Sequence, residues 1–187
     1  MTDNTFIHSK ACVESDYIGK NTRIWANTHV MDGASIGSGC NLGENVFVET
    51  GVIIGSGVTI KNGVSIWSGV TIEDDVFVGP DVVFTNDICP RACIKRPQEE
   101  YMVPTTVKQG ASLGANSTVI CGNEIGQYAF VGAGAVVVKS VKPFELVLGN
   151  PARPAGYVCI CGKRLADDLQ CSCGRGYIKS GEGLRFV

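Results

Sequence analysis

From Ile18 to Phe84 a large aliphatic or aromatic residue returns at every sixth position: Ile18, Ile24, Val30, Ile36, Leu42, Val48, Ile54, Ile60, Ile66, Ile72, Val78 and Phe84. Neither the helical period nor the two-residue alternation of a half-buried strand produces that interval, and a fixed short repeat specifies architecture before local propensity does. Three residues after each comes Asn21, Asn27, Gly33, Gly39, Asn45, Gly51, Gly57, Gly63, Gly69, Asp75 and Asp81, the residue types that enter the left-handed backbone region at least cost. The next position holds Thr22, Thr28, Ala34 and Cys40, then an unbroken series from Val46 to Val82. Each hexapeptide therefore predicts a short strand that buries one large residue, a corner, and a small or β-branched residue tucked in beside it. Stacked, these units make a prism-shaped parallel β-helix with one hexapeptide on each flat side. A β-sandwich would space its strands irregularly, at roughly 8–12 residues.

The breaks in the pattern divide the chain. Residues before Ile18 are imperfectly periodic and predict a cap on one open end of the prism. Thr85 to Thr106, with Pro90, Pro97 and Pro104, has no hexapeptide phase. The repeat then resumes at Val107, Leu113, Val119, Ile125, Val131 and Val137, with Gly110, Asn116, Gly122 and Gly134 at corners. An excursion of this length between clean repeats predicts a substrate loop over 85–106. Tyr128 at a corner and Asn123 beside the core break the local rule. Pro143, Pro151 and Pro154 predict the end of the regular coils, giving a β-helix domain over 1–158 and a separate module over 159–187.

That module carries Cys159, Cys161, Cys171 and Cys173 in two matched Cys-x-Cys-Gly pairs. Two such turns suit a closed, structural zinc ion, and so short a tail cannot bury a core without a staple. The common knuckle is Cys-x-x-Cys-Gly, so free thiols, an oxidised pair or four-Cys iron stand as alternatives. Cys12, Cys40, Cys89, Cys93 and Cys121 are scattered, with nothing cationic and regular around them, and read as structural or incidental rather than reactive.

A formal net charge of −2 and a pI near 5.7 provide no basic field for nucleic acid or an anionic membrane, so neither partner is expected. The first ten residues lack the basic start and apolar run of a secretory signal, and no segment is apolar enough for a membrane span. A cytoplasmic protein is expected. His8 and His29 are its whole histidine supply, and neither lies near the loop. Transfer to a hydroxyl, which needs a base, is therefore disfavoured. A neutral amine attacks a thioester without prior deprotonation, and the site need supply only positioning and an oxyanion donor.

The hexapeptide period resembles that of the left-handed β-helix acyltransferases. Within that group the run IEDDVFVGPDVVFTN, Ile72 to Asn86, followed by Pro90 and Arg91, is similar to the nucleotide-sugar 3-amino N-acetyltransferases. IWANTHVM, VKQGASLGANSTVICG, YAFVGAGAVVVKSV and GNPAR match in order and spacing, so the resemblance runs from about Ile7 to Gly156. It implies an all-β fold of left-handed hand with three hexapeptides per coil, a homotrimer, and acetyl-CoA as cosubstrate in a groove between subunits. One form of the family acetylates UDP-2-acetamido-3-amino-2,3-dideoxyglucuronate for surface lipopolysaccharide. The resemblance assigns Asn86 to orienting the sugar amine at the thioester, and Arg91 and Lys95 to the sugar and its carboxylate. Asp75 is a corner first and a substrate contact second. Ala115 and Ala133 mark turns whose backbone meets pantetheine, and Lys139 and Arg153 fall where the family meets CoA phosphates. The same prism in γ-type carbonic anhydrases needs three zinc-binding histidines, which this chain lacks. The competing readings are an O-acetyltransferase and a non-catalytic scaffold that presents the zinc module. The four-Cys tail is a departure from the family.

Overall fold

The computed structural model describes residues 3–181 and 183–187, and its elements are nearly all strands of two residues. They stack into three parallel sheets, the sides of a prism. The first side comprises Phe6–Ile7, Arg23–Ile24, Asn41–Leu42, Thr59–Ile60, Phe77–Val78, Ser112–Leu113, Phe130–Val131 and Glu145–Leu148. The second comprises Cys12–Val13, His29–Val30, Phe47–Val48, Ser65–Ile66, Val83–Phe84, Thr118–Val119 and Val136–Val137. The third comprises Ser35–Ile36, Ile53–Ile54, Val70–Ile72, Thr105–Val107 and Glu124–Ile125. The chain visits the sides in turn, so three hexapeptides complete one coil, and strands of successive coils pair in register, as Asn41 does with Thr59.

The repeat residues fill the interior. Ile24, Val30, Leu42, Ile60, Ile66, Ile72, Val107, Leu113 and Ile125 are fully buried, each contributing about 1.5–3 kcal/mol. Asn21, Asn27, Asn45, Asp75, Asp81 and Asn116 turn the corners at φ between 55° and 60°. Beside two of those corners Thr22 and Thr28 are buried, and their hydroxyls donate to the Gly37 and Gly43 carbonyls one coil up, at 2.8 and 2.7 Å. A β-branched side chain thus fits the corner with its polar atom satisfied.

Two boundaries differ from the expectation. Phe6–Ile7 and Cys12–Val13 already pair parallel with Arg23–Ile24 and His29–Val30, so the residues before Ile18 are a coil and not only a cap. Their pattern is weak because, among the described residues, no strand packs on the other side of that coil, and Phe6 and Ile7 stay exposed. At the other end the coils persist through Pro143: Val141 bridges to Ile125 and Glu145–Leu148 pairs parallel with Phe130–Val131. Only then does Arg153–Tyr157 return antiparallel along Glu145–Leu148.

The Cys-rich tail packs on this end. Its hairpin, Tyr177–Ser180 with Gly183–Phe186, places Tyr177 and Phe186 against Phe144, with ring centroids 5.2 and 5.6 Å apart, and Tyr128 stacks on Phe144 at 5.3 Å. Tyr128 and Phe144 are successive corners at positive φ. An aromatic residue there is strained, and the shared apolar cluster with Cys159, Leu165, Cys171 and Leu184 offsets the strain. No helix among the described residues is long and apolar enough to cross a membrane.

Candidate functional site

The excursion leaves the prism after Val83–Phe84 on the second side and re-enters at Thr105–Val107 on the third, so it stands on the edge between them, the second edge. Asn86 is at its root. Residues one coil apart form a ladder there: Ser68 Oγ donates to the Thr50 carbonyl at 2.7 Å, and Asn86 Nδ2 donates to the Ser68 carbonyl at 3.4 Å. The Asn86 carbonyl in turn accepts from Val103 N–H at 2.9 Å on the returning limb. With Nδ2 committed to the ladder, Oδ1 is left as a hydrogen-bond acceptor.

The loop is held by contacts within itself. Asp87 bridges antiparallel to Met102, and its carboxylate accepts from Arg96 Nη2 and from Cys89 N–H at 2.8 Å. Arg96 also donates to the Cys89 carbonyl at 3.1 Å and lies over the Tyr101 ring at 5.8 Å. Partial burial works to raise the Asp87 carboxyl, but the Arg96 and Cys89 hydrogen bonds outweigh it and hold the group below its ordinary value. The loop's one helical turn, Gln98–Tyr101, is followed by Met102, which presses on the Gly69 corner. A Cβ on Gly69 would stand 2.9 Å from Met102 Cγ.

Two open clefts flank this clamp. One, of about 400 Å³, is lined by Asp87, Pro90, Arg91, Ala92, Ile94, Lys95, Arg96 and Tyr101. Since Asp87 is occupied by Arg96, the free charge in it is that of Arg91 and Lys95, both exposed. The other, of about 440 Å³, lies below the helical turn, between it and the Thr50 and Ser68 corners.

The remaining expected residues lie on other parts of the prism. Lys139, exposed, shares the second edge with Asn86, two coils further along, which is roughly 10 Å of axial rise. Ala115 and Ala133 stack on the first edge, between first and second sides, where Gly134 N–H donates to the Ala115 carbonyl at 2.8 Å. Arg153 follows the turn above them, whose Gly149 and Ala152 bond to Val136, and its guanidinium donates to the Ala152 carbonyl at 2.9 Å. Asp75 is a corner of the third edge, its carboxylate over Gly57. One chain therefore gathers Asn86, Arg91, Lys95 and Lys139 on one edge, Ala115, Ala133 and Arg153 on the next, and Asp75 on the third. The Thr50–Ser68 ladder and the Asp87–Arg96–Tyr101 clamp were missed from sequence. The eighteen-residue spacing of Thr50, Ser68 and Asn86 was the available signal.

In the tail, all four Sγ atoms of Cys159, Cys161, Cys171 and Cys173 lie within 4.8 Å of one another, with Cys159–Cys173 at 3.5 Å and Cys161–Cys171 at 3.6 Å. A tetrahedral zinc at about 2.3 Å from each sulfur sets its ligands roughly 3.8 Å apart, and a disulfide would bring them to about 2.05 Å, so the set fits the metal. Both turns are alike: Cys159 N–H donates to Lys163 and Cys171 N–H to Arg175, each at 2.8 Å, with Gly162 and Gly174 at positive φ. Arg175 N–H and its guanidinium pull the Cys173 thiol down to about 6, and Tyr177 donates to Cys159 Sγ at 3.0 Å.

Comparison with known proteins places this geometry. The model of the bacterial transferase hexapeptide (six repeats) matches residues 17–50 and 51–86, and that of the hexapeptide repeat of succinyl-transferase matches 104–139. The dTDP-3-amino-3,6-dideoxy-alpha-D-galactopyranose 3-N-acetyltransferase of Aneurinibacillus thermoaerophilus is 48% identical over 83 residues, 43% of this chain and 43% of that protein. The chain thus spans less than half the length of the curated relatives it matches first. Among solved structures, UDP-N-acetylglucosamine acyltransferase of Francisella novicida aligns at a TM-score of 0.57 and 16% identity over 82% of this chain and 68% of its own. The N-acyltransferase AntD of Bacillus cereus, in complex with dTDP and 3-hydroxybutyryl-CoA, aligns at 0.53 and 19% over 82% and 80%. At these identities the two structures speak for the fold. Over residues 17–86 and 104–139 the chain therefore carries the hexapeptide repeats of these transferase models.

Proposed function

We propose that this chain is an acetyl-CoA-dependent N-acetyltransferase that acts on the 3-amino group of a nucleotide-linked sugar. The observation that carries the reading is Asn86 at the loop root, its Nδ2 anchored to Ser68, next in the chain to Asp87, which lines a cleft whose free charge is positive. The 48% identical relative, named as a sugar 3-N-acetyltransferase, supports it. Asn86 Oδ1 accepts one N–H of the neutral amine and aims the nitrogen lone pair at the thioester carbonyl. The C–N bond forms, the tetrahedral adduct expels CoA as thiolate, and the surplus amine proton leaves afterwards. A backbone N–H near the Ala115 turn is the oxyanion donor in this reading.

The split of expected residues between prism edges supports a homotrimer, in which the first edge of one copy faces the second edge of its neighbour and acetyl-CoA lies between them, with Lys139 and Arg153 toward its phosphates. The four Cys hold a closed zinc ion that has no open position for chemistry. The module packs on the third edge through Tyr128 and Phe144, away from the loop of its own chain, which supports a stabilising role.

For the acceptor, Arg91 and Lys95 favour a uronate such as UDP-2-acetamido-3-amino-2,3-dideoxyglucuronate, destined for surface polysaccharide. The named relative favours a second reading, a dTDP-linked 3-amino-6-deoxy sugar, in which the same cations meet the pyrophosphate. Mass spectrometry of the products formed from acetyl-CoA with each acceptor decides. One added acetyl group on the uronate alone supports the first, acetylation of the deoxysugar alone supports the second, and no product with any amine and no CoA binding leaves a scaffold.

A further inference from the structure

We propose that Cys12, Glu14 and His29 form a site for a borderline-soft divalent cation, zinc being the best match, on the outer surface of the second side. Cys12 and His29 are register partners on adjacent strands. Their neighbour Val30 is buried in the core, so alternation along the strand turns His29, and Cys12 with it, outward. Glu14, two residues beyond Cys12, projects from the same surface. One donor atom from each side chain lies within 4.8 Å of the other two, and Glu14 Oε1 is 3.1 Å from His29 Nε2.

A tetrahedral zinc at about 2.0–2.3 Å from N, O and S donors sets them roughly 3.3–3.8 Å apart, so closing on an ion needs only small side-chain adjustment. The donors are already oriented. Glu14 Oε2 accepts from Asp32 N–H at 3.3 Å, and the His29 ring packs edge-on to Phe47 at 5.6 Å. Thiolate, imidazole and carboxylate together select zinc or cobalt over calcium and magnesium, which take oxygen ligands. Three protein ligands leave a fourth position to water.

The position gives the ion its task. Cys12 and Glu14 belong to the first coil and His29 to the second, and among the described residues no strand pairs with the first coil on its other side. A metal bridging the two would fasten the end of the prism most open to fraying, because an ion bound only by the folded form stabilises it. The site is three strands from Val83–Phe84 along the same side, roughly 14 Å, so it is independent of amine transfer. Without an ion, the exposed Glu14–His29 pair contributes little.

The whole chain is saturated with Zn²⁺, freed of unbound metal and measured by native mass spectrometry, beside Cys12→Ser and His29→Gln. Both positions reach the surface, so the variants keep the fold. The expected result is one ion fewer per chain in each variant than in the wild type. Hydrogen exchange over residues 6–13 should also slow on zinc addition in the wild type alone. Equal metal content in all three proteins, with exchange at that end unmoved by zinc, overturns the site.

Discussion

Asparagine, aspartate and glycine recur at the corners because each coil must pass through the left-handed region three times, and that demand was legible from the period alone. The residue after each buried large one obeys a second rule that the period conceals. On the first and third edges it is often glycine, as at Gly19, Gly37, Gly43, Gly55, Gly79, Gly114, Gly126 and Gly132, because the next coil passes there at backbone contact. A Cβ on Gly37 would stand 2.5 Å from the Gly55 carbonyl carbon. On the second edge the same position holds Met31, Glu49, Trp67, Thr85, Ile120 and Val138, never glycine. Every third hexapeptide is therefore different, which marks both the three-sided coil and the edge that carries Asn86. Gly37→Ala is expected to cost about 2 kcal/mol in denaturant unfolding, the scale of overpacking a fixed core. Gly39→Ala, with nothing within 4 Å of its Cβ but φ at +69°, should cost about 1 kcal/mol from backbone strain. Equal and negligible effects would contradict the close approach.

The loop is the element that sequence located but did not fold. Three prolines and a lost phase announced an excursion, and its charged residues read equally well as a solvated surface. What shapes it is Arg96 reaching back nine residues to Asp87 while covering Tyr101, a pairing no local pattern encodes. Arg96→Met should speed proteolysis between Ile88 and Lys95 and raise the KM for the sugar while leaving acetyl-CoA affinity unchanged. Unaltered cleavage would show that the clamp does not hold the loop. The Asp87 carboxyl is held below its ordinary value, so its folded form binds the proton less well than the unfolded chain does. The resulting stabilisation is complete above the ordinary aspartate value, about 3.9, and is lost as pH falls through the lowered one. Protection of the loop against hydrogen exchange, taken relative to the intrinsic exchange rate at each pH, is expected to be flat from neutral pH down to about pH 4 and to fall below it, and Asp87→Asn should abolish that acid step.

At the scale of the whole molecule, the end coil of a solenoid needs cover, and at one end the Cys-rich tail supplies it. The aromatic cluster of Tyr128, Phe144, Tyr177 and Phe186 joins the last coils to the Cys-rich tail. Tyr128 was flagged by its misfit at a corner, but its partner at Phe144 was hidden by the prolines around it. If zinc organises that tail, a strong chelator should release metal, lower the Tm and expose Tyr177, while the far-UV spectrum of the coils survives. A chelator that leaves Tm unchanged would argue against a metal there. The spread of expected site residues over prism edges predicts a particle of three times 19.8 kDa by light scattering, and a monomer would contradict a groove shared between copies.

In the proposed reading, fold, loop and chemistry meet at Asn86. The measurement to make is the steady-state rate of acetyl transfer to the nucleotide-linked amino sugar by the wild type and by Asn86→Ala, with acetyl-CoA affinity determined alongside. A fall in kcat of about a hundredfold, the scale of losing one positioning contact at the reacting atoms, is expected, with CoA binding unchanged. A variant that acetylates the amine at the wild-type rate would remove Asn86 from the site and contradict the reading.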